Sequence, residues 1–229
     1  MLRAGVVVPV RNEVELLPRC LTALGIAVAT AGIPVDIVVV LDGCTDGSEA
    51  VVAAAGPLGS ATHVVRIDEA CVGAARASGC DLMLERYGVP GLWLATTDAD
   101  SAVGPTWLRQ QLRYARAGYD AVAGTVAIDD WTSWGEAARR AYRLDYRERW
   151  GHRHVHGANL GFRADTYVEA GGFPALPTHE DVALVEALTA AGRRIAWACD
   201  VPVVTSSRRL GRTPGGMSRF LAALPAAQL

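Results

Sequence analysis

Leu92-Trp93-Leu94-Ala95-Thr96-Thr97-Asp98-Ala99-Asp100 is an unbroken apolar run that ends in two carboxylates. A run without polar alternation reads as a strand covered on both faces, as in a parallel sheet. Earlier stretches repeat the pattern. Gly5 to Val10 is apolar and β-branched and opens onto Arg11-Asn12-Glu13, after which Leu16, Leu17, Cys20, Leu21 and Leu24 fall at helical spacing. Val35 to Leu41 leads into a loop from Asp42 to Ser48, and helix resumes from Glu49 to Ala55. His63 to Ile67 is a third strand and Cys71 to Tyr87 an Ala-rich helix. Strands alternating with helices predict an α/β fold with a mostly parallel, Rossmann-like sheet and helices on both faces. Ligands bind such sheets beyond the carboxyl ends of the strands, where the loops 11–13, 42–48 and 98–100 all fall.

Past Asp100 the alternation weakens. Trp107 to Ala117 reads as helix, Ala121 to Ile128 as strand, and Trp134 to Trp150 as an amphipathic helix rich in Arg, Tyr and Trp. Gly171-Gly172-Phe173-Pro174 is a turn, Asp181 to Ala191 a helix and Ile195 to Ala198 a strand. Ser206 to Gly216 is basic and Gly-rich, with Pro214-Gly215-Gly216 read as a mobile loop, and a short helix follows.

With 229 residues the chain suits one α/β domain. The expectation is a single domain over 1–229, with about 1–100 and about 101–229 as its two halves. A composition of 51% hydrophobic and 20% charged residues excludes collagen, coiled coil and a disordered chain. The net charge of −2 gives no global basic field for nucleic acid. All 22 basic residues are Arg, so lysine chemistry is excluded. Cys20, Cys44, Cys71, Cys80 and Cys199 are odd in number and lack a C-x-x-C pair, which fits neither a disulfide frame nor a thiolate zinc site. No apolar stretch reaches the roughly 18 residues of a membrane span, and no leader precedes the first strand, so the cytoplasm is the expected location.

Asp98 and Asp100, at i and i+2 after a strand, are expected to aim two hard oxygen ligands the same way, as Mg²⁺ or Mn²⁺ requires when it keeps water and phosphate as further ligands. A solvated turn would also use them. Asp42 is placed to accept a hydrogen bond from a uracil-type N–H or a ribose hydroxyl, or to form a turn. Arg76 is either a contact to base or diphosphate or a surface residue. Arg11 and Glu13 bracket the first loop, Asn12 is a turn or site residue, and Pro9 fixes the strand exit. Arg208 and Arg212 belong to a charge run that is either a solvated face or a source of positive charge for a leaving diphosphate. His152, His154 and His156 alternate as in a strand but lack the companion ligands of a zinc site, and His156 reads better as an acceptor-pocket residue. Trp134, Tyr142, Tyr146 and Trp150 divide between core and acceptor stacking.

Val6-Val7-Val8-Pro9-Val10-Arg11-Asn12-Glu13, Leu41-Asp42-Gly43-Cys44-Thr45-Asp46-Gly47-Ser48, Gly73-Ala74-Ala75-Arg76 and Asp98-Ala99-Asp100 resemble, in order and spacing, the nucleotide-sugar-binding half of family-2 glycosyltransferases with the GT-A fold. Gly157-Ala158-Asn159, Arg163, Gly171-Gly172-Phe173 and Glu180-Asp181-Val182-Ala183-Leu184 resemble that family's acceptor-side and general-base segments, so the likeness covers about residues 5 to 215. It implies metal-assisted, inverting transfer of a sugar from a nucleotide-diphosphate donor, UDP-linked by preference, to the hydroxyl of a small-molecule, lipid or glycan acceptor. Asp181 would be the base, with Glu180 a second candidate; the alternative is that Asp181 or Thr178 merely caps the helix that follows. Pro9, Arg11, Asn12, Glu13, Asp42, Arg76, Asp98, Ala99, Asp100, Arg208 and Arg212 would line the donor site, and His156, Gly157, Ala158 and Asn159 the acceptor site. The family usually has two successive acids where this chain has Leu41 and Asp42.

Two other readings stand beside it. A sugar nucleotidyltransferase shares the sheet and the metal, but it ordinarily uses a Gly-rich first loop and a lysine, both missing. An inactive nucleotide-sugar-binding module would keep the pocket without turnover, although Asp100 and Asp181 are both present. A processive synthase is disfavoured by the missing membrane helices and Gln-x-x-Arg-Trp motif.

Overall fold

Successive side chains of the first strand, β1 (Arg3–Val10), part to two cores: Val6, Val8 and Val10 enter one and Val7 the other. Burial on both faces is what an unbroken apolar run requires. The computed structural model describes residues 3–146, 149–212 and 216–224. Among them, α1 (Leu17–Ala29), α2 (Ser48–Ala55) and α4 (Trp107–Arg116) cover one face, and α3 (Val72–Tyr87), α6 (Ala164–Glu169) and α7 (Glu180–Ala190) cover the other. Leu17, Cys20, Leu21, Leu24 and Ala27 of α1 are buried at helical spacing.

The strands β2 (Val35–Asp42), β3 (Ala61–Ile67), β4 (Leu92–Thr96), β5 (Ser101–Val103), β6 (Ala121–Ile128), β7 (Leu160–Arg163) and β8 (Ile195–Thr205) join β1 in an eight-stranded sheet of order β3-β2-β1-β4-β7-β6-β8-β5. It runs through both halves of the sequence. β1 is parallel to β2 and β4, β2 to β3 and β6 to β8. β7 is antiparallel to β4 and β6, and β5 is antiparallel to β8. The sheet is thus mostly parallel, as expected, with one reversed strand inside and one at the edge.

A third cluster, of Val126, Ile128, Tyr142, Tyr146, Ala158 and Leu221, joins α5 (Gly135–Asp145) and α8 (Met217–Ala223) to β6. Helix α5 stops at Asp145, short of the Trp150 read from sequence; residues 147 and 148 lie outside the described residues, as do Pro214 and Gly215. Strand β8 runs on to Thr205, beyond the expected Ala198, with a register shift against β6 between Gly124 and Val126. No helix of the described residues is long and apolar enough to cross a membrane.

Candidate active site

The carboxyl ends of β1, β2 and β4 open onto a cleft of about 810 Å³, closed opposite by the first turn of α7 and the segment after β8. Asp98 and Asp100 both line it. They reach it from a turn rather than by strand pleat, because β4 ends at Thr96 and the Ser101 N–H donates to the Asp98 carbonyl at 3.0 Å. Asp100 accepts from Ser101 Oγ at 3.1 Å. Burial, and then the neighbouring Asp98 charge, push its carboxyl up to about 6, with Glu13 adding and Arg208 opposing. Two oxygen-donor side chains on one wall of a cleft suit a hard divalent cation. No group of three or more His, Cys, Asp or Glu side chains among the described residues is arranged to hold a metal, so a cation here would complete its shell with water and phosphate.

Arg208 already supplies some of the missing charge. Its Nη2 lies 2.5 Å from Asp100 Oδ2 and 2.7 Å from Glu13 Oε1, while Nη1 donates to Glu13 Oε2 at 2.9 Å. Arg212 donates to the Asn12 carbonyl at 2.8 Å and stands 3.8 Å from Glu13. The basic segment is therefore tied to the first loop across the cleft mouth.

Arg76 is no surface residue: it is 3% exposed, and its guanidinium bridges Asp98 Oδ1, at 2.5 Å, to Glu180 Oε1. Glu180, 2% exposed, is committed to that pair, which leaves Asp181 as the acid with unshared access to the cleft. Two backbone N–H groups hold Asp181. Gly157 donates to Oδ2 at 2.6 Å and Val182 to Oδ1 at 2.8 Å. The helix cap is instead His179, a non-glycine residue at φ 65°, and left-handed strain of this kind tends to collect at functional sites.

Beyond Asp181 the wall turns aromatic and apolar, with Tyr146, Val155, Ala158, Met217 and Phe220. His156 lines it. Val126 N–H donates to the Tyr146 hydroxyl at 2.9 Å, and that hydroxyl lies 2.9 Å from His156 Nε2. Burial pushes the imidazole down to about 4 against the pull of Asp181. Tyr146 also stacks on Tyr142 and His154, with centroids 4.8 and 4.0 Å away; both roles read for these aromatics, packing and lining, thus fall on one residue. Trp150 is largely exposed, meets the Tyr114 ring with centroids 6.4 Å apart and does not line the cleft.

Pro9, Arg11, Glu13, Ala99, Gly157 and Ala158 line the cleft with the residues above. Two expected site residues do not. Asn12, at φ 54°, turns its side chain to the second loop and accepts the Thr45 N–H at 2.8 Å. Asn159 is fully buried: its Oδ1 accepts from the Trp107 indole at 2.9 Å, and its Nδ2 donates to the carbonyls of Thr125, at 2.7 Å, and Val201, at 2.5 Å. Its amide is consumed by the packing of β6 against β8, so it is removed from the acceptor set. Asp42 lines the cleft, yet both its oxygens are engaged: the N–H groups of Glu69, Ala70 and Cys71 each donate to it at 2.8 Å.

Residues 5–169 match the glycosyl transferase family 2 model. The chain belongs to glycosyl transferase family 2. This family 2 chain also superposes on a crystal structure of residues 1–349 of S. aureus TarS in complex with UDP, with a TM-score of 0.64 and 13% identity, covering 91% of this chain and 61% of that one. Against the mannosyltransferase PcManGT from Pyrobaculum calidifontis, in complex with GDP-Man and Mn²⁺, the TM-score is 0.63 and the identity 22%, over 92% of this chain and 58% of that one. The chain thus spans about three fifths of these structures, and the likeness establishes the GT-A fold. Comparison with curated protein sequences gives no significant match.

Proposed function

We propose that this family 2 protein transfers a sugar from a nucleotide-diphosphate donor, UDP-linked by preference, to an acceptor hydroxyl with inversion at the anomeric carbon. One observation carries the reading: Asp181, fixed by two backbone N–H groups, faces the same cleft as Asp98 and Asp100. The neighbours in complex with UDP, and with GDP-Man and Mn²⁺, support the donor class and the metal. Asp98 and Asp100 would hold Mg²⁺ or Mn²⁺, which when bound stabilises charge on the leaving diphosphate.

The chain's own side chains do the rest. Arg208 and Arg212 exchange Glu13 for diphosphate oxygens, adding positive charge where negative charge develops. Asp181 accepts the acceptor hydroxyl's proton while the Gly157 and Val182 N–H groups keep its carboxylate aimed. The acceptor oxygen forms the new glycosidic bond as the bond to the diphosphate breaks, and a single displacement inverts the centre. We place the protein in the cytoplasm, in keeping with five free cysteines.

A thermal-shift panel of UDP and GDP, each with and without Mn²⁺, tests the donor side. Ligand at 100 times its Kd adds about 2.7 kcal/mol of stability. UDP should stabilise the protein more with Mn²⁺ than without it. A protein stabilised by neither nucleotide under either condition would overturn the reading.

A further inference from the structure

Two links join the end of β4 to the first turn of α7. One is an ion pair shared three ways, Asp98 to Arg76 to Glu180. The other is a hydrogen-bond chain: Thr96 Oγ1 donates to the Gly157 carbonyl at 2.6 Å, and the Gly157 N–H donates to Asp181 Oδ2 at 2.6 Å. Thr96 and Asp98 are two residues apart, Glu180 and Asp181 adjacent, so the links run side by side. They also touch. A Cβ built on Gly157 would stand 2.3 Å from Arg76 Cζ, so the guanidinium is seated against a backbone that only glycine permits there. Arg76 keeps this seat although its Nε has no hydrogen-bond partner among the described residues.

We propose that Arg76 is a positioning residue that divides its charge between Asp98 and Glu180, and that this division, braced by Gly157, sets both the cation affinity at Asp98 and the placement of Asp181. A buried cation shared by two acids is a balance, because whatever one carboxylate loses the other receives. Glu180 draws charge off Asp98 and leaves it able to ligate a metal. If Glu180 is made neutral, the full guanidinium charge falls on Asp98 and competes with a divalent cation. If the whole Arg76–Glu180 pair is made apolar, Asp98 is released, but the first turn of α7 loses its tether.

The metal half of this inference rests on the proposed function. Mn²⁺ titrations in the presence of UDP, read from the spin-resonance signal of free Mn²⁺, test it directly. E180Q should loosen Mn²⁺ about 5-fold or more. R76M/E180M, which avoids a stranded buried charge, should bind Mn²⁺ at least as tightly as wild type while transfer falls about 100-fold, the scale of a base displaced by about 1 Å. G157A, whose Cβ collides with the guanidinium, should shift Mn²⁺ affinity and lower kcat together. A structural strut alone would lower melting temperature and Mn²⁺ affinity together in all three variants. Mn²⁺ affinity unchanged in E180Q, or wild-type turnover in R76M/E180M, overturns the inference while leaving the metal site standing. Wild-type protein that takes up no Mn²⁺ with UDP overturns the metal reading itself and this inference with it.

Discussion

The guanidinium of Arg208 lies 2.5 Å from the carboxylate of Asp100, a residue 108 positions earlier in the chain. That pair, with Glu13, closes the mouth of the cleft by charge rather than by packing. Under the proposed function this pair would open when a diphosphate arrives, and until then it neutralises the acids.

Replacing Arg208 by Met should therefore lower kcat by about 10²–10³-fold, the scale of losing one preorganised charge at a developing anion. The same variant should also melt below wild type, since it strips the buried Glu13 and the mostly buried Asp100 of their nearest cation. Steady-state kinetics and a melting curve on one preparation check both. Unchanged turnover would return the segment to the status of a solvated basic face.

Asp181→Asn should reduce kcat by about 10²–10⁴-fold while donor KM stays within about threefold. The amide keeps one acceptor and so retains only one of the two backbone contacts. Loss of the other, about 1 kcal/mol, should lower the melting temperature by about 2–4 °C. Kinetics that fall no further than stability does would make Asp181 a structural clamp.

For Asp42, three N–H donors on one carboxylate predict a double effect. Asp42→Ala should destabilise the fold by about 1–3 kcal/mol, because buried donors lose their acceptor, and should weaken nucleotide binding by loosening the wall made by Ala70 and Cys71. Comparing UDP with GDP separates the roles. A residue that reads the base changes their ratio, whereas a loop organiser weakens both equally.

His156 carries a pH signature. Burial holds its folded pKa at about 4, below its ordinary value near 6.5. The unfolded chain takes up the proton first as pH falls, so this residue's contribution to stability is complete above about pH 6.5 and is lost progressively down to about pH 4. Asp100 acts in the opposite sense. Its folded pKa, raised to about 6, makes the native state the better proton acceptor between about pH 6 and 4. The whole-protein profile is therefore blunted, and the informative quantity is the difference between wild type and His156→Gln. That difference should vary with pH over this window and be flat above it.

The cleft was legible in the sequence because it is built where local signals are strongest: apolar strands of five residues or more, each ending in polar loop residues. The reversed strand Leu160–Arg163 and the edge strand Ser101–Val103 are too short for periodicity to register, and they exist through partners far along the chain. The burial of Arg76 and of Asn159 is illegible for a related reason. A charged or amide side chain is ordinarily exposed, and nothing near Arg76 in sequence announces that Glu180 and Asp98 will meet it in the interior, or near Asn159 that a register shift will leave carbonyls to satisfy. Asp181 is a candidate through the motif around it, whereas its two backbone clamps leave no signal in the sequence.

Asn159 limits how this protein can be altered. A Cβ on Gly124 would stand 2.2 Å from the Asn159 amide nitrogen, at the step where β6 and β8 change register. Neither position can drift alone: a side chain at 124 collides with the amide, and a shorter residue at 159 strands the indole of Trp107 together with the carbonyls of Thr125 and Val201. A set of variants that reshapes the cleft must hold this pair constant, and the positions it can vary are those such as Val155, Met217 and Phe220, which line the cleft and are only partly buried.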